Sequence, residues 1–148
     1  MSSLKLALGR LYLRRGRKSR ALSLYQQAGR LGSAVALYEM ARIYEQKFAS
    51  FHDVVNLNRS VDLYEQSSDL GYAPAQAILG VHYEIGGGVT RDVNRAIELY
   101  TMAAQQGNER AIKELQGHKI KLPTISTPRE TIAPRDNYQI IGSLDEDM

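Results

Sequence analysis

The side chains able to do chemistry are few, and none falls into a catalytic spacing. There are three histidines, His52, His82 and His118, and no cysteine. The histidines show no ligand spacing with each other or with an acid, so we read them as structural or solvated, with no metal and no cofactor. The absence of cysteine excludes disulfides, thiolate metal sites and cysteine nucleophiles. Two acid pairs, Glu39 with Glu45 and Glu109 with Glu114, are spaced five or six apart. They read as solvated surface charges rather than a general acid and base. Gly86-Gly87-Gly88-Val89-Thr90 is rich in glycine but lacks the lysine and preceding strand of a phosphate loop, so it reads as a tight turn. No Gly-x-Ser-x-Gly elbow is present. With no nucleophile, base and orienter together, an enzyme is not expected.

Charge offers a binding surface instead. Residues 1–38 hold Lys5, Arg10, Arg14, Arg15, Arg17, Lys18, Arg20 and Arg30, and the first acid is Glu39. The whole chain is only +3, so the remainder is net acidic. The cluster Arg14, Arg15, Arg17, Lys18 and Arg20 could dock an acidic protein, a nucleic acid or an anionic lipid. It has no interleaved aromatic, which favours protein over nucleic acid. Phe48, Phe51 and His52 form a second candidate, an aromatic loop with surface to bury. Tyr138, Ile140 and Ile141 form a third, an apolar patch in a polar C-terminal segment.

Elements to carry these candidates come from an internal repeat. Ala21–Ala36, Ser60–Ala75 and Ala96–Ala111 superpose without a gap. Their matched positions include Ala21/Ser60/Ala96, Leu24/Leu63/Leu99, Tyr25/Tyr64/Tyr100, Ala28/Ser67/Ala103, Gly32/Gly71/Gly107 and Ala36/Ala75/Ala111. Such a period is the mark of a helical repeat array. Val93, Ala96, Ile97, Tyr100 and Ala104 recur with helical spacing after an N-cap candidate, Asp92. Asn56 holds the same slot one unit earlier, and Arg17 holds it in the first.

A second ladder, Leu8-Gly9 with Tyr12, Met40-Ala41 with Tyr44 and Leu79-Gly80 with Tyr83, marks the first helix of each pair. The loop inside the second pair is read as long, Glu45–Asn56. The six ladder tyrosines (12, 25, 44, 64, 83 and 100) are read as core. A fourth first-type helix begins at Ala111 as a cap.

The third unit carries a family resemblance. Ala75, Leu79-Gly80, Tyr83, Gly86, Gly88-Val89, Asp92, Ala96, Tyr100, Ala103-Ala104, Gly107 and Ala111 resemble the SEL-one-like repeat, a relative of the tetratricopeptide repeat. The second unit departs where Lys47–Val55 replaces the glycine-valine turn, and the first lacks that turn. The resemblance implies an all-α, right-handed superhelical solenoid of antiparallel helix pairs, about three repeats long. It implies an adaptor that assembles other proteins, and many bacterial members look like regulators of secretion, envelope assembly or host interaction. A cysteine-rich branch is no guide to this chain.

The expected organisation is an array at 1–118, with units at about 4–35, 36–74 and 75–110 and a capping helix at 111–117. A tail at 119–148, with Pro123, Pro128 and Pro134, is expected to be extended or disordered. No apolar run is long enough for a membrane span, and Lys5 and Arg10 break any signal-like start. We therefore expect a cytoplasmic location. The expected partner is a protein, with an acidic one favoured by charge. Leu4, Leu6, Leu8 and Leu11 suggest that the N-terminal helix buries apolar surface against a partner, against a second copy in a homo-oligomer, or against the folded-back tail. Two other functions are carried forward: a secreted effector with a C-terminal signal tail, and a nucleic-acid-binding module using the basic cluster.

Overall fold

A computed structural model of the chain describes residues 1–119. Among them are seven helices and no strand: α1 (Ser2–Arg14), α2 (Lys18–Arg30), α3 (Ala34–Phe51), α4 (Val54–Asp69), α5 (Ala73–Ile85), α6 (Val93–Gln105) and α7 (Glu109–Gly117). Each packs chiefly on its neighbours in sequence. The result is three antiparallel pairs stacked into a solenoid, with α7 laid on the last.

The repeated residues build both the helix ends and the core. Gly32, Gly71 and Gly107 sit at φ 87°, 85° and 85°, the left-handed region that glycine enters without a steric penalty. The amides that follow them, of Ser33, Tyr72 and Asn108, donate back to the carbonyls of Ala28, Ser67 and Ala103. That closes each second helix with the same Schellman cap and turns the chain into the next unit. Ser33, Asp53, Asp92 and Asn108 then accept backbone N–H groups at the starts of α3, α4, α6 and α7.

Tyr25, Tyr64 and Tyr100 are fully buried, as are Ala21, Ala28, Ala36, Ala75, Ala96, Ala103 and Ala111. The small residues bring helices close and the tyrosines fill what is left. In the second unit, serines replace two of the alanines. Each buries its hydroxyl by donating to a carbonyl: Ser60 to Leu57 and Ser67 to Ala34, both at 2.7 Å. The other three ladder tyrosines, Tyr12, Tyr44 and Tyr83, are half-buried.

Three expectations need correction. The stretch Glu45–Asn56 is not a long loop, because α3 stays helical through Phe51 and only His52 and Asp53 separate it from α4. No glycine or proline interrupts that stretch, so nothing stops the helix until His52 turns left-handed at φ 54°. Asn56 is not the N-cap of α4. Asp53 is, with its carboxylate accepting from Val55 N and from the Asn56 side-chain amide. The last helix begins at Glu109, behind its Asn108 cap, rather than at Ala111.

Candidate functional site

The structure places the basic candidates together. Arg14 ends α1, Arg15 and Arg17 occupy the turn, and Lys18 and Arg20 open α2; all five are exposed. Among the described residues none of the five lies within ion-pair distance of a carboxylate. Arg20 instead lays its guanidinium 5.7 Å from the Tyr12 ring centre.

The aromatic candidates sit at the corresponding turn of the next pair, but on a helix end rather than in a loop. Phe51 is 78% exposed, while Phe48 is half-buried and meets His52 edge-on. Val54 and Val55 beside them are 59% and 57% exposed. The turns within antiparallel pairs fall on one edge of the stack, so the cations of the first pair and the apolar group of the second lie on the same edge. Tyr138, Ile140 and Ile141 lie outside the described residues.

The residues that meet most closely are ones the sequence reading set aside. Tyr64 donates its buried hydroxyl to Glu45 Oε2 at 2.8 Å, and His82 Nε2 lies 3.2 Å from Glu45 Oε1. Tyr100 donates to Glu84 Oε2 at 2.7 Å, and His118 Nε2 lies 2.7 Å from Glu84 Oε1. Both triads bridge two consecutive first helices through the second helix between them. His82 Nδ1 also faces the Gly87 carbonyl at 2.9 Å, which fixes the ring and ties the α5–α6 turn to it.

The earlier reading therefore needs correction. His82 and His118 do share a repeat position, one unit apart, and each meets an acid. Glu45 is no solvated surface charge, and Glu39 is a bridge between Arg10 and Arg42 at 3.6 and 3.8 Å. Their signal was available in the sequence, since Glu45/Glu84 and His82/His118 keep the offsets of the tyrosine ladder.

The first joint lacks these groups. In its register Leu13 stands for the glutamate and Ile43 for the histidine, and both pack against Tyr25 in an apolar cluster. The Tyr25 hydroxyl is buried without a hydrogen-bond partner among the described residues. An unmade bond at a buried group costs about 1–3 kcal/mol. Tyr25→Phe should therefore leave stability unchanged or raise it by up to about 1 kcal/mol, whereas Tyr64→Phe and Tyr100→Phe should each lower it. Urea unfolding of the three variants checks this.

The joints also set a pH dependence. The hydrogen bond from His82, with that of Tyr64, holds the Glu45 carboxyl below its ordinary value of 4.5 against the opposing effect of burial. Tyr100, then His118, do the same for Glu84. Burial and the partner carboxylate push the Tyr64 and Tyr100 hydroxyls well above the ordinary range, so both stay donors. A depressed carboxylate contributes stability above its unfolded value and loses it as pH falls toward the folded one. The melting temperature should hold near neutrality and drop below pH 4.5. The drop should flatten in Tyr64→Phe/Tyr100→Phe.

Among the described residues no group of three His, Cys, Asp or Glu could hold a metal ion, and no helix is long and apolar enough to cross a membrane. At the start of α5, Tyr72 stands where Ser33 and Asn108 cap, forms no side-chain cap, and packs edge-on against Tyr38 at 5.3 Å.

Three repeat units, each a helix pair closed by the same glycine cap, match the Sel1 repeat family model at residues 6–33, 34–72 and 73–108. The chain belongs to the Sel1 repeat family. Sel1 repeats generally mediate protein–protein interaction. Its fold is similar to that of a Sel1 repeat protein from Oxalobacter formigenes, with TM-score 0.68, 32% identity, and 78% of this chain and 88% of that one covered. It is also similar in fold to c5321, a protective antigen of uropathogenic Escherichia coli strains. There the TM-score is 0.67 at 23% identity, covering 82% of this chain and 27% of that one. A chitin synthase regulator, SKT5, from Malassezia restricta is 38% identical over 74 residues. Those residues are 49% of this Sel1 chain but 5% of the regulator, so the likeness spans only a small part of the regulator's length.

Proposed function

We propose that this Sel1 repeat protein is a non-catalytic adaptor or regulatory subunit that holds a partner protein against its array. The observation that carries the reading is the division of labour among side chains. Ladder tyrosines, alanines and glycines are spent on packing, and the Glu–His pairs on joints. Exposed residues outside the ladders include, on the edge of the intra-pair turns, the five cations from Arg14 to Arg20, then Phe51, His52, Val54 and Val55. A cationic patch sharing an edge with an apolar one suits an acidic, amphipathic protein segment.

Tyr64–Glu45–His82 contains groups that elsewhere move protons. Its hydroxyl is fully buried and committed to the carboxylate, so it serves the joint rather than a substrate. The likeness to a stretch of a chitin synthase regulator supports a regulatory role of the same general kind.

Affinity capture with the intact chain, followed by mass spectrometry, tests the reading. A stoichiometric protein partner is expected, and its recovery should fall at least about tenfold with Arg14→Glu/Arg15→Glu/Arg17→Glu. Recovery of nucleic acid instead, with binding that collapses steeply as salt rises, would replace the reading with the nucleic-acid one. The effector reading rests on residues 120–148, outside those described.

A further inference from the structure

Among the described residues, one face of α1 is a stacking face with nothing stacked on it. In later units the equivalent face packs on the preceding helix. Ala36, Met40 and Ile43 of α3 meet α2, Ala75 and Leu79 of α5 meet α4, and Ala111 and Leu115 of α7 meet α6. In the register of the tyrosine ladder, the α1 residues at these positions are Leu4, Leu8 and Leu11. Leu4 is 61% and Leu8 38% exposed, whereas Ala36 is 0% and Met40 8%. The three leucines recur at i, i+4 and i+7, which makes one apolar stripe. Leu6 and Leu13 point the other way, into the core of the first unit.

The first slot decides what can cover the stripe. It holds a fully buried alanine in α3, α5 and α7, where two helices approach closely. Leu4 is three carbons larger. A further repeat stacked in register would have to take that bulk into a contact shaped for a methyl group, which is overpacking. The stripe therefore fits a helix that packs at the wider spacing of leucine ridges, as in a coiled-coil seam.

Charge then selects the occupant. Neither α1 nor α2 carries an acid. Lys5 and Arg14 lie on α1 itself, and Arg15, Arg17, Lys18 and Arg20 follow at its C-terminal end. A second copy of the chain would bring the same cations to the same seam, at a cost in repulsion. We propose that the Leu4–Leu8–Leu11 face of α1 is a docking surface for an amphipathic helix of a partner protein, with an apolar stripe and acidic flanks. This rests on the protein-binding reading above and names its surface and partner chemistry.

The probe is a synthetic helix of about 20 residues, with leucine at its seam positions and glutamate on both flanks. Its twin carries lysine on the flanks. Fluorescence anisotropy against the full chain should show the glutamate helix binding at least about tenfold more tightly than the lysine twin. Leu4→Ala/Leu8→Ala should lose at least about tenfold of that affinity with an unchanged melting temperature, since both side chains are exposed. Equal binding of the two helices overturns the proposal, as does no saturable binding, or a double variant as good as the wild type. A wild-type dimer in sedimentation that Leu8→Glu dissolves gives the seam to a second copy and overturns it as well. A partner captured equally by wild type and double variant removes this surface and leaves the protein-binding function standing. A chain that captures no protein removes the function itself.

Discussion

Gly80→Ala is expected to destabilise the array by about 1–3 kcal/mol, a large effect for one added methyl group. A β-carbon at Gly80 would lie 2.5 Å from Cε1 and 2.8 Å from Cδ1 of the Tyr100 ring. The ring cannot simply retreat. Tyr100 is fully buried among Ala77, Ala96, Ala103 and Ala111, and its hydroxyl is held by Glu84 at 2.7 Å. Either α5 and α6 move apart or the Tyr100–Glu84 bond breaks. Tyr100→Phe should not rescue the variant, because the clash is with the ring. Gly117→Ala is the control. It lies in α7 with no atom within 4 Å of the added carbon, so it should be neutral or slightly stabilising. Urea midpoints of the three variants decide the matter. A Gly80→Ala chain as stable as the wild type would mean that the packing at this pair is looser than described.

Glu45→Leu is the second large effect, about 1–2 kcal/mol destabilising. It strands the Tyr64 hydroxyl and leaves His82 Nε2 without its carboxylate. The chain already contains the compensated version of this change, since Leu13 and Ile43 pack together at the first joint. Glu45→Leu/His82→Ile should therefore recover part of the loss, because apolar packing replaces a polar bridge as a unit. It recovers neither the Tyr64 hydroxyl nor the His82–Gly87 contact, and Tyr64→Phe removes the first of these, so the triple variant should be the most stable of the series after the wild type. A double-mutant cycle on Glu45 and His82 should return a coupling of about 1 kcal/mol. Additive single effects would show that the two residues do not act together.

The parts of this fold that repeat within one unit were legible in the sequence. Tyr, Ala and Gly ladders announce themselves because each rung meets the same surroundings three times. Asp92 was legible as a cap for the same local reason. Glu45 and His82 were legible only through their repeat offsets, because the acid and the histidine it meets lie in different units. A search for close spacing between acid and histidine passes over them. Asn56 was misplaced because the second unit extends α3 by more than a turn where the third spends its glycines. Alignment by the later ladder then pushed the cap three residues too far. The candidate contacts were legible only as leftovers, residues such as Arg15 and Phe51 with no rung to occupy. Leu4 needed the structure, since only the burial of Ala36, Ala75 and Ala111 gives its size a meaning.

The joints also give the units a grammar of succession. The third unit offers Glu84 to the helix that follows it and His82 to the unit before it, so a tandem copy of residues 73–108 would find its own complement at every seam between copies. The second unit offers Glu45 forward but Ile43 backward, and a copy placed behind itself would set a carboxylate against an aliphatic wall. Lengthening this protein by duplication is thus open at one unit and closed at its neighbour, although the two share their ladder tyrosines and the capping glycine.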